Sequence, residues 1–141
     1  AVVTDTLASG VVVSIDYSQP SVKGRTIGKN LEPLDGRVWR AGANEATVFE
    51  ISKAVKIEGN ELPAGKYALF MLSGPDEWAI IFNKTWDQWG AFSYKEGEDA
   101  LRVKVKPAKA KEFTETLTYT ISDDGTVSLW WGDWVISFGV K

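Results

Sequence analysis

Phe113-Thr114-Glu115-Thr116-Leu117-Thr118-Tyr119-Thr120-Ile121 decides the fold of this chain. Apolar side chains at 113, 117, 119 and 121 alternate with threonines at 114, 116, 118 and 120. A period of two residues suits an extended strand with one face buried and one in water. The same alternation runs outward in both directions. Val11, Val13, Ile15 and Tyr17 share a face, as do Thr47, Phe49 and Ile51, and Trp134, Ile136, Phe138 and Val140. Leu101, Val103 and Val105 alternate with Arg102, Lys104 and Lys106, which makes the basic residues a solvated face and a guarded edge.

Two segments are apolar on both faces, Tyr67–Leu72 and Trp78–Phe82, and are expected to be central strands joined by a turn at Ser73-Gly74-Pro75-Asp76. Further turns are expected at Asp123-Asp124-Gly125 and at Gly132-Asp133, a loop over 106–111, and one short helical turn at Thr85–Trp89. No segment sustains a helical period. About nine short, turn-separated strands make an all-β fold, an antiparallel, jelly-roll-like β-sandwich. A closed β-barrel is the alternative. With 141 residues, no internal repeat and no linker, residues 1–141 read as a single all-β domain.

The chain is 44% hydrophobic and 25% charged, with a formal net charge of -3. That balance disfavours broad attraction to nucleic acid or an anionic membrane, and no apolar run reaches the roughly 18 residues of a membrane-spanning helix. Cysteine and histidine are both absent. Their absence removes thiol nucleophiles, imidazole bases and the usual zinc, copper and haem ligands, so no metal and no cofactor is expected. The seven tryptophans, Trp39, Trp78, Trp86, Trp89, Trp130, Trp131 and Trp134, are expected mostly in the core.

The stretch from Tyr17 to Thr47 breaks the alternation. It gathers Arg25, Arg40, Asn44 and Glu45 among glycines, and polar groups on loops that a rigid sheet positions are where binding usually sits. Each arginine offers a planar fork of donors to a carboxylate, a phosphate or a sugar diol, or else staples the loop to an acid such as Asp16, Asp35 or Glu45. Asn44 either caps local backbone or donates and accepts towards a ligand. Glu45 is a candidate base whose partner carboxylate no spacing identifies. The second polar-aromatic loop, Trp86–Tyr94, either lids the open end of the sandwich or walls a cleft with Trp89 or Tyr94.

These blocks resemble a bacterial family catalogued as domain of unknown function 2911. The resemblance is carried by Pro20-Ser21-Val22-Lys23-Gly24-Arg25 and by Val38-Trp39-Arg40-Ala41-Gly42-Ala43-Asn44-Glu45-Ala46-Thr47. Leu62–Phe70, Trp78–Asn83, Trp89-Gly90-Ala91-Phe92 and Leu101-Arg102-Val103 extend it over roughly Val11 to Val140. The resemblance implies no activity. It does imply export, to the periplasm or cell surface of a Gram-negative bacterium, with Ala1 near a mature N-terminus. It marks Lys23, Arg25, Arg40, Asn44, Glu45 and Asn83 as the family's characteristic polar positions. Members often carry a tyrosine-glycine pair where this chain has Asp35-Gly36-Arg37.

Three functional readings follow. The first is an exported binding module for a polar ligand, a carbohydrate or a carboxylate-bearing molecule, held by Lys23, Arg25, Arg40, Asn44, Glu45, Asn83 and Trp89. The second is an accessory subunit that docks on a larger protein through its aromatics. The third, ranked last, is a hydrolase or lyase that needs a second acid about 5–10 Å from Glu45.

Overall fold

The computed structural model of the chain describes residues 1–27, 33, 38–42, 46–74, 76–87 and 96–141. Among these residues there are eleven strands and no α-helix, only a 3₁₀ turn at Glu96–Glu98. The main sheet is antiparallel and runs β1 (Val2–Thr6), β2 (Val12–Asp16), β4 (Thr47–Ile51), β7 (Gly65–Leu72), β8 (Trp78–Asn83), β9 (Asp99–Val105). The short β3 (Val38–Trp39) pairs with β7 beyond the end of β4. As their two-sided apolar pattern requires, β7 and β8 lie inside this sheet, with every residue of β8 buried.

The second layer is built on the hairpin of β10 (Ala108–Ile121) and β11 (Thr126–Gly139). The small hairpin of β5 (Val55–Ile57) and β6 (Asn60–Leu62) joins its β11 side. The join is made by a bridge between Ile57 and Val140 and by Lys56 and Lys141 exchanging backbone bonds of 2.7 and 2.9 Å. On the β10 side, Val22 N donates to Glu115 O at 2.9 Å and Leu117 N to Pro20 O at 3.0 Å, so residues 20–22 extend the layer. The two layers enclose one core and form an antiparallel β-sandwich.

Phe49 and Phe82 from the main sheet meet Phe138 from β11 edge-to-face, at centroid separations of 5.1, 5.9 and 5.6 Å. This arrangement sets positive ring edges against negative faces and adds to simple burial. Trp39, Trp78 and Trp131 are buried, Trp130 and Trp134 half-buried, and Trp86 exposed; Trp89 lies outside the described residues.

Three local readings change. The expected loop over 106–111 ends early, because β10 begins at Ala108 and pairs with Val135 across the hairpin. Gly132-Asp133 is no turn: β11 runs straight through it. Gly132 instead sits at φ +59, where the β10–β11 register shifts, and a Cβ there would collide with Ile27 Cδ1. Such a pattern is a bulge, which keeps the strand going while bending it. At Thr85–Asp87 the backbone has no helical turn, and Gln88 and Trp89 lie outside the described residues.

The turn between β10 and β11 is a dense polar knot. Ser122 Oγ donates to Asp124 Oδ1, Thr126 N donates to the same oxygen at 3.1 Å, and Val140 N reaches Gly125 O at 2.7 Å. Gly125 has φ +92, and a Cβ would collide with Val140 O. Gly125→Ala should therefore lower stability by roughly 2 kcal/mol or more, through left-handed strain and a backbone collision together. The urea midpoint reads this, and an unchanged midpoint would show that the turn rebuilds itself.

Two carboxylates near this knot titrate in opposite senses. The Ser122 and Thr126 hydrogen bonds hold Asp124 below its ordinary value of 3.8, so its contribution is complete above 3.8 and lost as pH falls through the lowered folded value. Burial, and then the neighbouring Asp123, raise Asp5 above 3.8. Asp5 thus costs stability at neutral pH, and this cost fades as pH falls through its raised value. In thermal melts Asp5→Asn should raise the midpoint at neutral pH and lose that gain in acid, whereas Asp124→Asn should lower the neutral-pH midpoint.

Candidate functional site

The strand that pairs with β7 is broken by an excursion between Trp39 and Thr47, of which residues 40–42 and 46 are described. Trp39 pairs with Met71 and Thr47 with Leu69, so seven residues stand where a regular ladder has one, opposite Phe70. Thr47 N donates to Arg40 O at 3.4 Å across the mouth. Inside, the carbonyl of the fully buried Ala41 accepts the Thr47 hydroxyl at 3.1 Å and the Tyr119 hydroxyl at 2.7 Å, and Trp39 Nε1 donates to Gly42 O at 3.2 Å. Ala41 holds φ +54, a conformation that costs an alanine about 1 kcal/mol. Buried hydrogen bonds of about 1 kcal/mol each offset that cost. A Cβ on Gly42 would lie 2.8 Å from Thr47 Oγ1 and 3.3 Å from Ser18 O, so only glycine fits. Arg40 is half-buried at the mouth; Asn44 and Glu45 lie outside the described residues.

Tyr119 is wholly buried. Burial, and next the Tyr17 ring beside it, push its hydroxyl well above the ordinary phenol value of 10.0, so it stays a proton donor. The two rings meet edge-on with centroids 4.8 Å apart, and Tyr119 N donates to Tyr17 Oη at 3.2 Å.

Lys23 and Arg25 sit on the turn that follows residues 20–22. Lys23, at φ +49, has an exposed side chain, and its backbone N–H is held by Glu115 Oε2 at 2.8 Å. Arg25 folds back on its own turn. Its Nε donates to Val22 O at 3.0 Å and Nη2 to Ser21 O at 2.7 Å, so the staple is made to backbone carbonyls and not to an acid. The side chain remains exposed and lines a cleft of about 310 Å³ with Val22, Thr26, Ile27, Phe113, Asp133 and Trp134. Phe113, expected in the core, is 53% exposed here. Past the irregular pairing with β11 it faces the cleft, and Lys109 Nζ stands 5.8 Å from the Trp134 ring.

Asn83 is fully buried at the end of β8. Its Nδ2 donates to Asp99 Oδ1 at 2.9 Å and its Oδ1 accepts from Thr85 N at 3.0 Å, while Asp99 also pairs with Arg102 at 3.2 Å. Its place suits a buried amide that organises the β8–β9 irregularity.

The cleft thus collects Arg25 from the motif that the sequence emphasised, together with Phe113, Asp133 and Trp134, which were read as strand, turn and core. Neither Arg40 nor Asn83 lines it. The missed signal was Asp133 beside Trp134 after a glycine, an exposed acid and a half-buried aromatic at a bulge. Among the described residues no three acidic side chains converge as around a metal ion.

A family model described as a protein of unknown function (DUF2911) matches residues 1–140, and the chain belongs to that family. No curated protein and no solved structure matches it.

Tyr119→Phe keeps the ring and removes one of the two hydroxyls on Ala41 O. A loss of about 1–2 kcal/mol in urea unfolding is expected, with faster amide exchange in the excursion. No change in either would show that Thr47 alone secures it.

Proposed function

We propose that this DUF2911 member is a binding module for a small polar ligand, taken up in the cleft that Arg25 shares with Phe113, Asp133 and Trp134. The observation that carries the reading is the state of Arg25. Its guanidinium is pinned by two backbone carbonyls and is still exposed to the cleft. A guanidinium has five N–H donors, so three remain to point at a ligand from a group whose ordering has already been accomplished. Two aromatic side chains, the Asp133 carboxylate and the Thr26 hydroxyl share the cleft with it, so polar groups and ring surface line the same space. A volume of about 310 Å³ suits a single small ring or a short carboxylate-bearing molecule.

A docking subunit fits less well. The exposed large apolar side chains among the described residues, Val2, Val12, Trp86 and Phe113, are spread over β1, β2, β10 and the segment after β8, and Lys66 Nζ covers Trp86 at 4.7 Å. Our reading keeps the protein outside the cytoplasm, in the periplasm or at the cell surface, as the resemblance implies. Cell fractionation checks this.

Arg25→Ala should weaken binding of the ligand found in a panel of glycosides and small carboxylates at least tenfold, about 1.4 kcal/mol. Calorimetric titration measures it, with a thermal melt to confirm folding. Unchanged affinity removes Arg25 from the site. In parallel, a tenfold loss in Arg40→Ala would join the 40–46 excursion to the same site.

A further inference from the structure

We infer that the cleft takes a neutral pyranose, an inference that rests on the binding reading above. Arg25 and Asp133 line one cleft of about 310 Å³ with opposite charges, yet they form no ion pair with each other. Arg25 is committed to Ser21 and Val22 carbonyls, and Asp133 is exposed on β11. The cleft therefore holds a donor-only group, Arg25, and an acceptor-only group, Asp133, beside the Thr26 hydroxyl.

A carboxylate ligand would satisfy Arg25 but share this small space with the Asp133 carboxylate, and a cationic ligand would meet the reverse conflict with Arg25. A hydroxyl both accepts and donates. Neighbouring hydroxyls on one ring can accept from the guanidinium and donate to the carboxylate, joining two groups that do not reach each other.

The aromatic side chains add the second criterion. Phe113 and Trp134 present apolar surface to the cleft, and Lys109 stands over the Trp134 ring. A pyranose has what this requires, a flat patch of C–H groups with hydroxyls around its rim. An acyclic polyol has no such patch, and a purely aromatic ligand would use neither the remaining donors of Arg25 nor the Asp133 carboxylate.

The test uses ¹H–¹⁵N spectra of the whole protein, with the Trp134 indole N–H assigned through Trp134→Phe and the Arg25 Nε–H through Arg25→Lys. The probes are methyl pyranosides of glucose, galactose, mannose and N-acetylglucosamine, with glucuronate and succinate as the carboxylate arm. A neutral glycoside should move both resonances, and Asp133→Asn should weaken it about tenfold while improving glucuronate. Asp133 is exposed, so this near-isosteric change should leave the fold intact; a thermal melt verifies that. If glucuronate or succinate moves the Trp134 resonance and no neutral glycoside does, the pyranose assignment falls and the binding cleft stands. If no probe moves either resonance, both fall. Unchanged glycoside affinity in Asp133→Asn also overturns the assignment.

Discussion

The buried Tyr119 phenol ties the two layers of this sandwich together by a polar bond. Tyr119, on the long hairpin, sends its hydroxyl across the core to Ala41 O, in the strand that the main sheet interrupts. Apolar packing holds sheets together without fixing how they slide, whereas a buried donor and acceptor must meet or both lose their partners. The bond therefore fixes where β10 lies against β3 and β4. It also secures the start of the interruption, since the same carbonyl receives Thr47 and the space beside Thr47 admits only glycine at 42.

β10 is consequently the organising strand. Its inner face holds the 40–46 excursion through Tyr119, and its outer edge holds residues 20–22 through backbone bonds at Glu115 and Leu117. The two blocks that carry the resemblance are thus both moored to one strand, though 14 residues of chain lie between Arg25 and Arg40. Beyond the bulge at Gly132 the hairpin bends, Ile27 fills the space that a side chain would take, and Phe113, Asp133 and Trp134 form the cleft with Arg25.

Much of this architecture was legible in the residues. Alternation around Leu117 and Tyr119, and two-sided apolarity in β7 and β8, are direct traces of one-sided and two-sided burial. What escaped was whatever depends on backbone groups. The Arg25 staple uses carbonyls, which every residue has, so no spacing of acids could reveal it. The bulge at Gly132 looks like a turn because both need positive φ; only its pairing with β10 tells them apart. β1 went unseen because it is a half-exposed edge strand of mixed valine, threonine and aspartate with little apolar contrast. Of the candidate site, Arg25 was legible and its companions were not, since Asp133 and Trp134 become neighbours of Arg25 only through the fold.

The mooring of residues 20–22 on β10 also sets when a cleft can exist during folding. Ser21 and Thr116 are 95 residues apart, and Gln19 reaches Leu117 over 98. Contacts of such sequence separation demand that a long loop close before they return any energy, and they form slowly. A chain still emerging, or one truncated before β11, would lack an entire wall of the cleft rather than have a weaker version of it. Occupancy of the cleft is therefore a report on completed folding, and any molecule that fits it acts on the native state alone, favouring the folded chain by mass action.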